Sequence, residues 1–88
     1  MTEAKVRIVN RLGMHARPAA LFVKTAGRHK SQVWVSKGEL KVNGKSIMGV
    51  MMLAAEYGSE LIIQAEGVDE KETVGNLVAL VNGGFGEE

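Results

Sequence analysis

The sequence predicts an α+β fold, an open-faced sandwich in which a four-stranded antiparallel sheet carries three helices on one face. Two observations predict it. Four short segments alternate apolar and polar residues, as half-buried strands do, and three others repeat apolar residues at the helical spacing of three to four. Along the 88 residues these segments follow the order βαββαβα, without a linker or a repeat. We therefore expect residues 1–88 to form a single domain.

The first strand is predicted around residues 4–8, where apolar residues alternate with basic ones. A helical period begins at His15, and its apolar face consists of Ala19, Phe22, Val23 and Ala26. Pro18 is tolerated only in the first turn of a helix, where its missing N–H has no intrahelical partner to lose. The helix is therefore predicted to start near His15 and to end at Gly27 and the basic residues 28–30.

A hairpin is predicted next, from the β-rich residues 32–36, a turn at Lys37-Gly38 and a second strand over 39–42. Its core-facing residues are Val33, Val35, Leu40 and Val42, whereas Trp34 belongs to the opposite, solvent-facing side. Ser46 is a favoured N-cap residue, so residues 47–53 are predicted to form a short apolar helix.

The last two elements are a strand and a helix. Leu61, Ile63 and Ala65 alternate with polar residues, which predicts the fourth strand. Asp69 and Glu72 have the spacing of a capping box. The apolar face of the helix that follows is Val74, Leu77, Val78 and Val81, and Gly83-Gly84 ends it.

Composition and charge exclude several classes of function. The chain has no cysteine, which excludes disulfides and thiolate zinc sites, and its net charge of +1 gives no basic surface for nucleic acid. His15 and His29 lack a carboxylate cluster, so we expect neither a metal nor a cofactor, and His29 is interpreted as a helix-end charge. Residues 1–5 lead into no apolar signal region and no segment has membrane-spanning length, so we expect a cytoplasmic protein.

His15 stands where the sequence predicts a helix to begin. Unpaired backbone N–H groups and the positive end of the helix dipole favour a neutral imidazole and an anion beside it. A neutral imidazole is a nucleophile, and the N–H groups of Ala16 and Arg17 would hold a phosphoryl group attached to it. The Arg17 guanidinium adds a charge-assisted contact to phosphate oxygens. Spacing alone, however, favours an ordinary surface histidine at a helix start, because lone histidines are common.

Two motifs connect the chain to a known family. Residues 12–19, Leu-Gly-Met-His-Ala-Arg-Pro-Ala, resemble the active-site signature of HPr, the histidine-containing phosphocarrier of the bacterial phosphoenolpyruvate-dependent phosphotransferase system. Residues 44–51, Gly-Lys-Ser-Ile-Met-Gly-Val-Met, resemble that family's regulatory serine segment. The two motifs have the family's spacing, and the predicted element order is that of the family's open-faced sandwich.

The resemblance implies a phosphocarrier and not an enzyme. His15 would accept phosphate on Nδ1 from phosphorylated Enzyme I and pass it to an Enzyme IIA domain, with Arg17 stabilising the phosphorylated state. Ser46 would be phosphorylated by HPr kinase/phosphorylase, which would weaken exchange with Enzyme I. The presence of His15 argues against the catabolite-repression paralogue, which lacks this histidine. We expect a monomer that neither binds nucleic acid nor inserts into a membrane.

An apolar docking patch is predicted near His15, formed by Ile47, Met48 and Met51, because methionine suits surfaces that accept several partners. The alternative is that most of these residues belong to the core. Lys24 and Arg28, one turn apart on the first helix, are predicted to steer acidic partners toward the site.

Two other functions remain open from the sequence. Residues 10–15 and the ending 81–85 look more like the nitrogen-branch phosphocarrier, which favours a regulatory interaction protein whose phosphorylation state controls partner binding. Neighbouring genes for a sugar permease or for a nitrogen-type IIA protein would distinguish the two branches. A nucleic-acid-binding α+β domain is disfavoured because the strands lack paired exposed aromatic residues.

Overall fold

The computed structural model describes residues 1–87 and confirms the predicted βαββαβα order. The elements are β1 (Thr2–Arg7), α1 (Ala16–Gly27), β2 (Gln32–Lys37), β3 (Leu40–Asn43), α2 (Ile47–Met52), β4 (Glu60–Glu66) and α3 (Glu70–Asn82). A short 3₁₀ turn, Gly84–Gly86, follows α3 and was not predicted from the sequence. Within residues 1–87, no helix combines the length and the apolar character that crossing a bilayer requires.

The sheet has the strand order β1-β4-β2-β3, and all three neighbouring pairs are antiparallel. The register places Val6 opposite Leu61 and Val35 opposite Ile63, so the apolar residues of adjacent strands share the face that the helices cover. Trp34 lies on the other face, as predicted, with the Lys41 ammonium 5.2 Å from its ring centroid. The open-faced sandwich is therefore confirmed.

The helices close the core through the faces that the sequence predicted. The buried members of these faces are Ala19, Phe22, Ala26, Val74, Leu77 and Val81, while Val23 and Val78 are half-buried. Leu40 shares the core-facing side of the hairpin with Val42, but it is 42% exposed because β3 is the edge strand. Of the short helix α2, only Val50 is buried.

The predicted capping box at Asp69 is wrong. Asp69 is the N-cap of α3, but its side chain makes no capping hydrogen bond. Its carboxylate instead accepts hydrogen bonds from the backbone N–H groups of Lys30 and Ser31, both at 2.9 Å, and from the Ser31 hydroxyl. These N–H groups follow the end of α1 and need an acceptor, so the carboxylate binds the neighbouring chain segment rather than the backbone N–H groups of its own helix.

His29 is not the simple helix-end charge that the sequence suggested. Its side chain is only 9% exposed and lies between two groups of α3. The Asn76 amide donates to Nε2 at 3.1 Å, and Nδ1 lies 3.3 Å from the Asp69 carboxylate. A carboxylate only accepts hydrogen bonds, so the proton between His29 and Asp69 belongs to Nδ1. His29 therefore connects the end of α1 to the start of α3.

Candidate functional site

Hydrogen bonds to Asn10 and to Ala55 hold the loop between β1 and α1 in place. Asn10 is fully buried, and its Nδ2 donates to the Gly13 carbonyl at 2.8 Å while the Gly13 N–H donates back to the Asn10 carbonyl at 3.1 Å. The N–H of the buried Met14 donates to the Ala55 carbonyl at 2.8 Å. At Gly13, φ is +74°, and a Cβ there would lie 2.6 Å from the Ala55 oxygen. The close approach of these backbones therefore requires glycine and fixes the residue that follows Met14.

His15 is the N-cap of α1, which confirms the predicted start of this helix. Its backbone is extended, with φ −83° and ψ −168°, and its carbonyl accepts the first helical hydrogen bond, from the Ala19 N–H at 3.0 Å. The N–H groups of Ala16 and Arg17 precede that bond and have no intrahelical acceptor, and Pro18 has no N–H. The first turn contains no acidic residue, and the His15 side chain is 37% exposed. A half-exposed imidazole thus stands beside two N–H groups that have no acceptor within their own helix.

Glu87 is the functional contact that the sequence reasoning missed. Its Oε2 lies 2.8 Å from His15 Nε2, and its Oε1 accepts from Asn10 Nδ2 at 2.9 Å. Burial raises the pKa of Glu87, but hydrogen bonds from Asn10 and His15, together with the charges of His15 and Arg17, leave it below its ordinary value. The carboxylate is therefore ionised at neutral pH.

The segment after α3 delivers Glu87 to His15. Phe85 is 5% exposed and adopts a positive φ of 57°, an unusual conformation for a bulky residue. Burial of its ring anchors the 3₁₀ turn against the core, and Glu87 follows directly, its side chain 13% exposed. The sequence contains no local pattern that predicts this contact, because His15 and Glu87 are 72 residues apart.

Arg17 lies in the first turn of α1 and is exposed to solvent. Its positive charge is near enough to contribute to the lowered pKa of Glu87. His15, Arg17 and the N–H groups of the first helical turn are thus brought together at one end of α1. Such a group can bind an anion from several directions while the imidazole remains reachable by a partner protein.

Ser46 lies apart from His15. Its hydroxyl accepts a hydrogen bond from the Gly49 N–H at 3.0 Å, so it caps α2 as predicted. Lys45 Nζ, beside it, donates to the His29 carbonyl at the far end of α1, whereas Ala55, beyond the other end of α2, contacts Met14. Helix α2 therefore runs antiparallel to α1, with Ser46 at the end remote from His15.

The surface of α2 is apolar and faces solvent. The exposed fractions are 43% for Ile47, 74% for Met48, 44% for Met51 and 65% for Met52. These values exclude the alternative that most of these residues belong to the core. Leu12, in the loop before His15, and Tyr57, after α2, are also strongly exposed, at 76% and 65%. Lys24 on α1 and Arg28, the C-cap of that helix, are both exposed.

Within the part of the chain that the structure describes, no three histidine, aspartate or glutamate side chains come together as metal ligands. His15 and His29 lie at opposite ends of α1, about 20 Å apart along its axis at 1.5 Å per residue. Their partners are single carboxylates, Glu87 and Asp69.

Comparison with known proteins agrees with this geometry. The family model described as "PTS HPr component phosphorylation site" matches residues 2–83. The phosphocarrier protein HPr of Neisseria meningitidis serogroup A is 48% identical over 87 residues, covering 99% of this chain and 98% of that protein. The HPr-like protein Crh of Bacillus subtilis is 47% identical, covering 92% of this chain and 95% of Crh. The crystal structure of HPr-C-His from Thermoanaerobacter tengcongensis has a TM-score of 0.96 at 51% identity, covering 100% of this chain and 99% of the other.

Proposed function

The chain belongs to the HPr family of phosphocarriers, and from that premise we propose that it accepts a phosphoryl group on His15 from phosphorylated Enzyme I and donates it to an Enzyme IIA domain. Proteins of this family carry the phosphoryl group between enzymes of the phosphotransferase system and are not themselves enzymes. The observation that carries the proposal is the position of His15, a half-exposed N-cap imidazole beside two N–H groups that have no intrahelical acceptor.

In the transfer step the carrier supplies the nucleophile and the groups that bind the phosphoryl oxygens. The imidazole lone pair attacks phosphorus, the new N–P bond forms, and the bond between phosphorus and the donor breaks. The N–H groups of Ala16 and Arg17, with the Arg17 guanidinium, hold the phosphoryl oxygens. Because the ring is 37% exposed, donor and acceptor proteins can reach the same nitrogen in turn.

Phosphorylation of Ser46 by HPr kinase/phosphorylase is the proposed regulation. Ser46 is remote from His15, at the other end of the short helix, so an added phosphate acts on the docking surface rather than on the imidazole. Its two negative charges would stand beside Ile47 and Met48, which are exposed. Apolar contact with a partner would then require desolvation of a phosphate, and exchange with Enzyme I would be weakened.

The proposed docking surface consists of Ile47, Met48 and Met51, with Lys24 and Arg28 beside it. The three apolar side chains are 43%, 74% and 44% exposed and lie on one six-residue helix, so they are available for contact with a partner. The two basic side chains are exposed on the helix that begins at His15, so they attract an acidic partner toward the site. We further propose that the protein acts as a monomer in the cytoplasm, where these partners would meet it.

Incubation with Enzyme I and labelled phosphoenolpyruvate tests the carrier role. We expect an acid-labile label that disappears in His15→Ala and persists in His29→Ala, the matched histidine control. A separate incubation with HPr kinase/phosphorylase and ATP is expected to give an acid-stable label that disappears in Ser46→Ala. Label that persists in His15→Ala would contradict the proposed acceptor.

The second candidate is a nitrogen-branch regulatory protein that binds partners according to the phosphorylation state of the same His15. Two observations favour it: residues 10–15 resemble that branch, and Leu12, three residues before His15 in the chain, has 76% of its surface exposed. A large exposed apolar side chain in the loop that leads to His15 is available for contact with a partner. Transfer of label from the phosphorylated protein to a sugar-type or a nitrogen-type IIA domain distinguishes the two candidates.

A further inference from the structure

His15 has two ring nitrogens, and the structure gives them different surroundings. Nε2 lies 2.8 Å from the Glu87 carboxylate. The other oxygen of that carboxylate accepts from Asn10 Nδ2 at 2.9 Å. An ionised carboxylate can only accept hydrogen bonds, so the proton between Glu87 and His15 belongs to Nε2. In the neutral ring the lone pair is then on Nδ1.

We propose that Glu87 is a positioning residue that holds His15 as the Nε2–H tautomer and so makes Nδ1 the atom that accepts the phosphoryl group. The proposal rests on the proposed function, and it gives a physical reason for the choice between two similar nitrogens. Asn10 and the buried Phe85 support the arrangement, because the first orients the carboxylate and the second fixes the segment that carries it.

The role of Glu87 continues through the transfer step. When Nδ1 forms its bond to phosphorus, the Nε2 proton stays on the ring, which becomes a phosphorylated imidazolium, and the donor takes the electron pair of the broken bond. The positive charge that develops on the ring lies within hydrogen-bond distance of the Glu87 carboxylate. The carboxylate therefore stabilises the charge in transfer to His15 and, equally, in the phosphorylated carrier.

The substitution Glu87→Gln tests the proposal most specifically. A carboxylate offers two acceptor oxygens, one for Asn10 and one for His15, whereas an amide offers one acceptor and one donor. Asn10 is fully buried and needs an acceptor, so the glutamine oxygen stays with it and the NH₂ group faces Nε2. That arrangement requires the lone pair on Nε2 and moves the proton to Nδ1. The substitution keeps the shape of the site and reverses the tautomer.

The experiment combines NMR of ¹⁵N-histidine-labelled protein with the initial rate of phosphorylation by Enzyme I and phosphoenolpyruvate. In Glu87→Gln we expect the ring to shift toward the Nδ1–H tautomer and the rate to fall by about ten- to a hundredfold. In Glu87→Ala water replaces the carboxylate, so we expect a smaller fall, below about tenfold. Glu66→Gln, an exposed glutamate at the opposite end of the sheet, should match the unmodified protein in both measurements.

Two results would overturn the positioning role: an unchanged tautomer in Glu87→Gln, or a rate in Glu87→Ala lower than that in Glu87→Gln. The second result would indicate that residue 87 only anchors its segment. The tautomer is measured without phosphorylation, so the test is independent of the proposed function. If the unmodified protein took no label while its ring was Nε2–H, the carrier role would fail and the assignment of Glu87 would stand.

Discussion

Replacing Gly13 by alanine is expected to destabilise the protein more than the same change at another glycine with positive φ. The loop that carries Gly13 passes so close to the turn after α2 that an added Cβ would lie 2.6 Å from the Ala55 oxygen and 3.0 Å from Glu56 Cα. Both contacts are with backbone, which cannot move aside as a flexible side chain can. Gly38 is the matched control, because its φ is +58° and a Cβ there meets nothing within 4 Å.

The expected magnitudes follow from these two environments. A left-handed conformation costs an alanine roughly 1–2 kcal/mol, and the loss of glycine's freedom in the unfolded chain offsets about 0.4–1 kcal/mol of it. Gly38→Ala should therefore lower the free energy of unfolding by about 1 kcal/mol. Overpacking adds roughly 1–3 kcal/mol at Gly13, for a total of about 2–4 kcal/mol. This loss is a large part of the free energy of unfolding of a folded domain, which is typically about 5–15 kcal/mol.

Urea unfolding followed by circular dichroism measures both variants. With a slope of about 1.5 kcal/mol per molar urea, Gly13→Ala should lower the midpoint by about 2 M and Gly38→Ala by less than 1 M. Gly13→Ala should also slow phosphorylation, because the clash displaces Met14 and the histidine that follows it. Equal losses of stability in the two variants would refute the close approach at Gly13 as the reason for glycine there.

Three further predictions concern transfer, docking and pH. Arg17→Ala should slow phosphorylation by Enzyme I by about tenfold or more while the urea midpoint stays unchanged, because Arg17 is exposed; normal turnover would remove it from the mechanism. Met48→Glu should slow the same reaction by about tenfold, whereas Val68→Glu, 90% exposed at the start of α3, should not; equal rates would exclude the patch. The Thr2 hydroxyl helps lower the pKa of Glu70 to about 2 from 4.5. Stability from this carboxylate is thus present above about pH 4.5 and lost as pH falls toward 2; urea midpoints at several pH values should show a weaker acid dependence in Glu70→Gln.

The elements that the sequence predicted depend on local signals. Alternation over residues 4–8 and 60–66 identified strands whose core-facing residues are buried, apart from the half-buried Ala4, and the tolerance of Pro18 in a first turn placed the start of α1. His15 could be identified from the same signals, because the chemistry of an N-cap imidazole depends on its own helix. These predictions needed no knowledge of which elements pack together.

The contacts that the sequence did not predict join segments distant in the chain. Glu87 contacts His15, which is 72 residues away in the chain, and Asp69 accepts a hydrogen bond from Ser31, which is 38 residues away. Asp69 has the spacing of a capping residue, but its carboxylate accepts hydrogen bonds from backbone N–H groups of the segment after α1 instead. The exposure of Met48 was undecided for a similar reason, because an apolar run of six residues does not say which side the core covers.

The most direct test of the acceptor site is ³¹P–¹⁵N NMR of protein labelled with ¹⁵N-histidine and phosphorylated by Enzyme I. We expect a one-bond coupling between phosphorus and Nδ1 of His15, with the proton retained on Nε2. Coupling to Nε2 would contradict the positioning role of Glu87. Coupling to a nitrogen of His29, or an absence of any coupling in labelled protein, would contradict the central claim that His15, at the start of α1, carries the phosphoryl group.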